Sequence, residues 1–160
     1  MKTLVVYYSN AGNTESAAKR IANELSADLL RLIPEKEIPE EGVNRFFSGG
    51  MKATFGQGTK LKKYDLNMSE YSQIILGTPV WASGPSPAVN QFLKEISDTS
   101  KITSVFTFSA RGENDKCITI LKRKIPGLKQ SVSLYDRKFP EHAMDNEQKL
   151  KGFIEGCRSL

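Results

Sequence analysis

YYSNAGNTESAAKRIA, residues 7–22, carries an apolar strand into a helix through six small or hydrogen-bonding residues: Ser9, Asn10, Ala11, Gly12, Asn13 and Thr14. The helix shows in Ala18, Ile21, Ala22 and Leu25, which fall at i, i+3, i+4 and i+7 and so share one face. Side chains this short expose the backbone of the loop, which can then hold a ligand with its own N–H groups and with the hydroxyls of Ser9 and Thr14. At a helix N-terminus the partial positive charge favours an anion, so a phosphate can sit there without a lysine. The spacing is neither that of the triphosphate loop, with its Gly-Lys-Ser/Thr ending, nor the Gly-x-Gly-x-x-Gly of dinucleotide sites, which argues against both.

Outward from this stretch the same alternation continues. Apolar runs too continuous for half-exposed strands recur at TLVVYYS (3–9), SQIILGT (72–78), ITSVFTFS (102–109) and, more weakly, KQSVSLYD (129–136), with ADLLRLI (27–33) as a further strand. Strands buried on both faces read this way in a parallel sheet. Between them, Cys117, Ile120, Leu121 and Ile125 approach helical spacing, and Leu150, Phe153, Ile154 and Cys157 have it. Ser86 before Pro87 is an N-cap followed by proline at the first helical position, with Phe92, Leu93 and Ile96 as the buried stripe. Five strands alternating with helices predict an open α/β sheet with right-handed crossovers. Residues 36–70 break the alternation; the sequence predicts a short helix around 43–54 and irregular chain after it, and long loops of this kind are usually functional.

The 160 residues suit one domain, 1–160, and no apolar run approaches the roughly 20 residues of a membrane span. Met-Lys-Thr leads straight into a strand, so no signal peptide and a cytoplasmic location are expected. Cys117 and Cys157 form no Cys-x-x-Cys pair and lie on apolar helical faces, which makes them core residues; with His142 as the one histidine, no metal site is expected. Residues 1–100 balance 11 Lys/Arg against 11 Asp/Glu, while 101–160 hold 12 against 7 and carry the whole net charge of +5. That is too diffuse for a nucleic-acid binder and reads as a solvated basic face, with docking of an acidic partner as the sharper alternative for Lys60, Lys62, Lys63 and Lys122-Arg123-Lys124.

Open parallel sheets bind ligands at the carboxyl ends of their strands, which brings three loops together: SNAGNT, TPVWASGPSP and SARGEND. With these motifs in view, YYSNAGNT resembles the phosphate-binding loop of flavodoxins, YSQIILGTPVWASGPSPAVNQFL their third strand and flavin loop, and VFTFSARGEN their third flavin loop. The resemblance spans the chain from first strand to last helix. It implies non-covalent FMN, a five-stranded parallel sheet in the order 2-1-3-4-5 with helices on both faces, and one-electron redox chemistry. Position by position, Ser9, Asn10, Ala11, Gly12, Asn13 and Thr14 would hold the FMN phosphate. Thr78, Pro79, Val80, Trp81, Ala82, Ser83 and Gly84 would line the ring, with Trp81 stacking on it and Gly84 offering a peptide that changes conformation cheaply. Ser109, Ala110, Arg111 and Gly112 would close the other side; Arg111 reads equally well as a surface residue or as a partner of flavin or phosphate. Two departures stand out. Flavodoxins are typically acidic and this chain is basic, and its third loop lacks the aromatic that covers the second flavin face in many members. The expected function is an electron carrier between redox partner proteins, with no catalytic residue of its own; the alternative is an FMN-dependent NAD(P)H:quinone or small-acceptor oxidoreductase.

Overall fold

The computed structural model describes residues 2–36 and 58–160. Its strands are β1 (Lys2–Tyr7), β2 (Asp28–Arg31), β3 (Tyr71–Trp81), β4 (Gly84–Pro85), β5 (Ile102–Ser109) and β6 (Gln130–Tyr135). Among the described residues the helices are α1 (Asn13–Leu25), α2 (Pro87–Glu95), α3 (Asp115–Lys124) and α4 (Ala143–Arg158). The sheet runs β2-β1-β3-β5-β6, every one of these neighbours parallel, and β4 pairs antiparallel with β3 alone. With the two-residue β4 set aside, this is the expected order 2-1-3-4-5.

The continuous apolar runs are explained by two cores, one on each face of the sheet. Leu4 and Val6 of β1, with Ile74 and Leu76 of β3, meet Val89 and Phe92 of α2 and Cys117 and Leu121 of α3. The alternating residues Val5, Tyr7 and Ile75 point the other way, against Ile21 of α1 and Phe153 and Ile154 of α4. Successive side chains of a strand face opposite sides, so a strand covered on both sides must be apolar throughout. Both cysteines are buried, and burial pushes the Cys117 thiol up to about 12. β2, at the edge of the sheet, is short and leaves Leu29 exposed.

β3 is longer than its apolar core suggests. Past Thr78, where the sequence reading ends the strand, it continues through Pro79-Val80-Trp81. Pro79 is tolerated there because the strand is leaving the sheet; Pro79↔Phe108 is its last partner on β5. The helix predicted around 43–54 lies outside the described residues. Among the described residues no helix is long and apolar enough to cross a membrane.

Candidate functional site

Four strand ends meet at one edge of the sheet, and each contributes for a different local reason. After β1, Gly12 takes a left-handed conformation, φ 87°, and becomes the N-cap of α1. Its N–H donates to Ser9 Oγ at 3.1 Å, which folds the loop over. Glycine brings no side-chain acceptor to the first turn, so the helix keeps open N–H groups at its start, with the positive end of its dipole behind them. Ser9 and Thr14 are buried, and Asn10 and Thr14 stand in the wall of the cleft. Glu15 would repel an anion here, but Lys19 Nζ at 2.7 Å, with Arg31 on the other side at 3.5 Å, holds its carboxyl below the usual carboxylate range and neutralises it.

After β3 the chain reverses in a two-residue hairpin, Trp81 pairing with Gly84 and Val80 with Pro85. Ala82 and Ser83 form the turn at φ 46° and 66°. Asn and Gly favour such a turn, and side chains there are strained by about 1–2 kcal/mol per residue. Gly84, read in the sequence as the flexible peptide, is instead buried and paired; the unusual backbone sits one and two residues earlier. Thr78 is fully buried, its hydroxyl donating to the Pro79 carbonyl at 2.9 Å and accepting from the Ser86 N–H at 3.0 Å, so it braces the hairpin from behind. Trp81 is half-buried and meets Tyr8 edge-on, 6.0 Å between ring centroids at 77°.

After β5, Ser109 Oγ accepts from the Gly112 N–H at 3.1 Å, closing a tight turn. Gly112 stands at φ 65° against the Tyr135 ring, where a Cβ would lie 2.5 Å from ring carbons. Tyr135 is itself stacked on His142 at 3.6 Å and 12°, so the one histidine is half-buried behind this loop. Asn114 is buried at the start of α3; its Nδ2 donates to Thr107 Oγ1 at 2.8 Å, and its Oδ1 has no partner.

The fourth contributor is the turn after β6, which the sequence reading passed over. Asp136, Arg137 and Lys138 follow the last strand directly and so obey the same rule that singled out the other loops. Asn13 holds this turn with both ends of its amide: Nδ2 donates to Asp136 Oδ1 at 3.0 Å, and Oδ1 accepts from Arg137 N and Nε at 3.3 and 3.1 Å. Arg137 Nη1 also donates to Ser16 Oγ at 3.1 Å.

Together these loops enclose a cleft of about 570 Å³ walled by Ser9, Asn10, Ala11, Asn13 and Thr14, by Pro79, Val80 and Trp81, by Phe108, Ser109 and Ala110, and by Asp136 and Lys138. Across Val80, Ser109 and Ala110 it continues into a second cleft of about 590 Å³, bordered by Ser83, Arg111, Glu113, Asn114, Asp115, Lys116 and Cys117. Ten of the residues singled out from the sequence thus wall the first cleft, and Ser83 and Arg111 the second. Gly12, Thr78, Gly84 and Gly112 shape the loops, and Ala82 is exposed at the hairpin tip. Lys122-Arg123-Lys124 lies at the far end of α3, about 15 Å from its start at the cleft.

An open parallel sheet with an uncapped helix start after its first strand, and an aromatic beside the cleft at its centre, is the arrangement of a nucleotide-type cofactor protein. The chain belongs to the flavodoxin family, whose family model matches residues 2–156. No curated protein matches it. Among solved structures it is similar to one from Bacteroides uniformis ATCC 8492, provisionally described as a flavoprotein, with a TM-score of 0.71 and 21% identity over 90% of this chain and 97% of that one. It is also similar to the flavoprotein of Lactobacillus acidophilus NCFM solved in complex with FMN, with a TM-score of 0.62 and 19% identity over 91% and 98%. A third is an NADPH-quinone reductase from P. pentosaceus, with a TM-score of 0.54 and 12% identity over 97% and 96%.

The cofactor this family implies is FMN, and the residues present fit it. The uncapped first turn of α1 suits a terminal phosphate, and Trp81 offers a flat apolar wall.

Proposed function

We propose that the chain binds FMN along the two joined clefts and carries single electrons between redox partner proteins in the cytoplasm, working as one domain over 1–160. FMN, when bound, supplies the redox chemistry; the chain binds it, orients it and sets which part of it is reachable. In this reading Ser9–Thr14 hold the phosphate, Val80 and Trp81 pack on the ring, and Ser109–Gly112 border its pyrimidine end. The observation that carries the reading is the exposure of both ring-end tips. Ala82 and Ser83 on one loop and Ala110 and Arg111 on the other stand in solvent, so a ring between them has an edge at the surface where another protein can reach it. Arg111 and Lys116 stand at that end beside Glu113 and Asp115, and they are the cations that a partner with an acidic docking surface would meet nearest the ring, with Lys122-Arg123-Lys124 at the far end of α3.

A second reading, an FMN-dependent NAD(P)H:quinone or small-acceptor oxidoreductase, is favoured by the bare third loop. Ala110 and Arg111 stand where many flavodoxins put an aromatic, which leaves one ring face open to a nicotinamide, and the P. pentosaceus neighbour is named for such a reaction. Anaerobic reduction separates the two. For a carrier, stepwise reduction by a one-electron donor passes through an accumulating half-reduced spectrum, and NADH or NADPH alone reduces the flavin slowly or not at all. Rapid bleaching by either nucleotide with turnover onto a quinone establishes the reductase. Colourless protein that takes up no added FMN defeats both.

A further inference from the structure

We infer that Lys138, from the turn after β6, supplies the counter-charge for the cofactor's phosphate and makes the site select FMN over riboflavin. The inference rests on the FMN reading above and deepens it. The loop Ser9–Thr14 contains no cation, and a phosphate monoester brings close to two negative charges. The cations nearby are mostly committed elsewhere. Arg31 pairs with Glu15 at 3.5 Å, and Arg137 is held by Asn13 Oδ1 and Ser16 Oγ. Among the described residues Lys138 is the one lysine or arginine in the wall of the first cleft, facing the same space as Asn10, Asn13 and Thr14.

Its present partners hold it loosely. Lys138 Nζ lies 3.7 Å from Asp136 Oδ2 and 5.4 Å from the centre of the Phe139 ring, with the side chain 64% exposed. An exposed pair of this kind is worth little, so the ammonium can transfer to a doubly charged phosphate at small cost. Asp136 is fixed by contrast, its Oδ1 accepting from Asn13 Nδ2 and from the Lys138 N–H, both at 3.0 Å. An anchored carboxylate in the wall of a phosphate site is unfavourable unless a cation lies against both. Lys138 is placed to be that cation, and its removal both withdraws a positive charge and leaves Asp136 facing the phosphate.

The test measures dissociation constants for FMN and for riboflavin, which share the ring and ribityl chain and differ in the phosphate. Lys138→Met is expected to weaken FMN about ten-fold and to leave riboflavin within about two-fold. Lys138→Arg keeps the preference for FMN. Asp136→Asn in the Lys138→Met background recovers part of the loss, because the amide keeps an acceptor for Asn13 without the charge. Raising salt weakens FMN binding more in the parent than in Lys138→Met. Equal loss of both ligands assigns Lys138 a structural role and overturns the inference, as does unchanged FMN affinity. A parent that binds riboflavin as tightly as FMN overturns it too, whereas a parent that binds neither overturns the FMN reading with it.

Discussion

The two ends of the groove are built on opposite plans. At the phosphate end, Ser9, Gly12, Asn13, Ser16, Asp136 and Arg137 are tied to one another by hydrogen bonds, several of them between the first loop and the last, and a helix start points into the space they enclose. At the ring end a hydroxyl at Ser109 and a two-residue hairpin close the loops, backed by Tyr135 and by the Asp136 N–H on the Ser109 carbonyl, while their tips stand in solvent with Ala82 and Ser83 in a disfavoured conformation. A preorganised end gives affinity, because little ordering remains to be done when the ligand arrives. An exposed end gives access, because a second molecule must reach the ring there. The division separates holding the cofactor from using it.

If that contrast holds, the largest effect on affinity belongs to the phosphate end. Thr14→Ala removes the hydroxyl of a residue in the cleft wall and is expected to cost about 1.5–3 kcal/mol in FMN binding, at least ten-fold in Kd by flavin fluorescence titration, with the stability of the apoprotein nearly unchanged. Equal affinity in variant and parent would place its role in the helix start. Gly112→Ala tests the support of the ring end. A Cβ pressed against Tyr135 at positive φ is expected to lower apoprotein stability by about 1–3 kcal/mol in urea unfolding, and an unaltered midpoint would mean that Tyr135 yields freely. Trp81→Ala should cost FMN affinity only about 0.5–1.5 kcal/mol while flavin emission, quenched in the parent, recovers; unchanged emission returns Trp81 to the core. The smallest effect is a gain. Ala82→Gly relieves a left-handed alanine and is expected to add about 0.5–1 kcal/mol of stability, and a loss instead would show that the turn is not strained.

Much of this was legible in the sequence because both cores write themselves into it. Val5 and Val6 are buried on opposite faces, so β1 could only be an interior strand, and Ser86-Pro87 marked the start of α2 to the residue. The strand–loop–helix at 7–22 was equally legible as such, and its loop walls the cleft. What stayed hidden depends on contacts across the chain. Pro79-Val80-Trp81 reads as loop, yet a strand leaving the sheet has no ladder bond for proline to break there. His142 sits beside Pro140-Glu141 in a polar context, and only the packing of Tyr135 draws it inward. Asp136 and Lys138 carry no local signal beyond following a weak strand, and their place in the cleft comes from Asn13, 123 residues away from Asp136.

That separation has a kinetic meaning. The loop after β1 precedes its last wall, the turn after β6, by more than a hundred residues, so the cradle is completed only when the far end of the sheet has docked. A contact of such long sequence separation must spend its loop-closure entropy before it is rewarded, and the cradle is expected to close after the folding transition state. A ligand that depends on it should then act on one rate only. FMN is expected to slow unfolding by nearly the full factor by which it stabilises the protein and to leave the refolding rate unchanged, which stopped-flow unfolding and refolding with and without FMN would read directly. Faster refolding in the presence of FMN would mean that the first loop captures the phosphate before the last strand is in place.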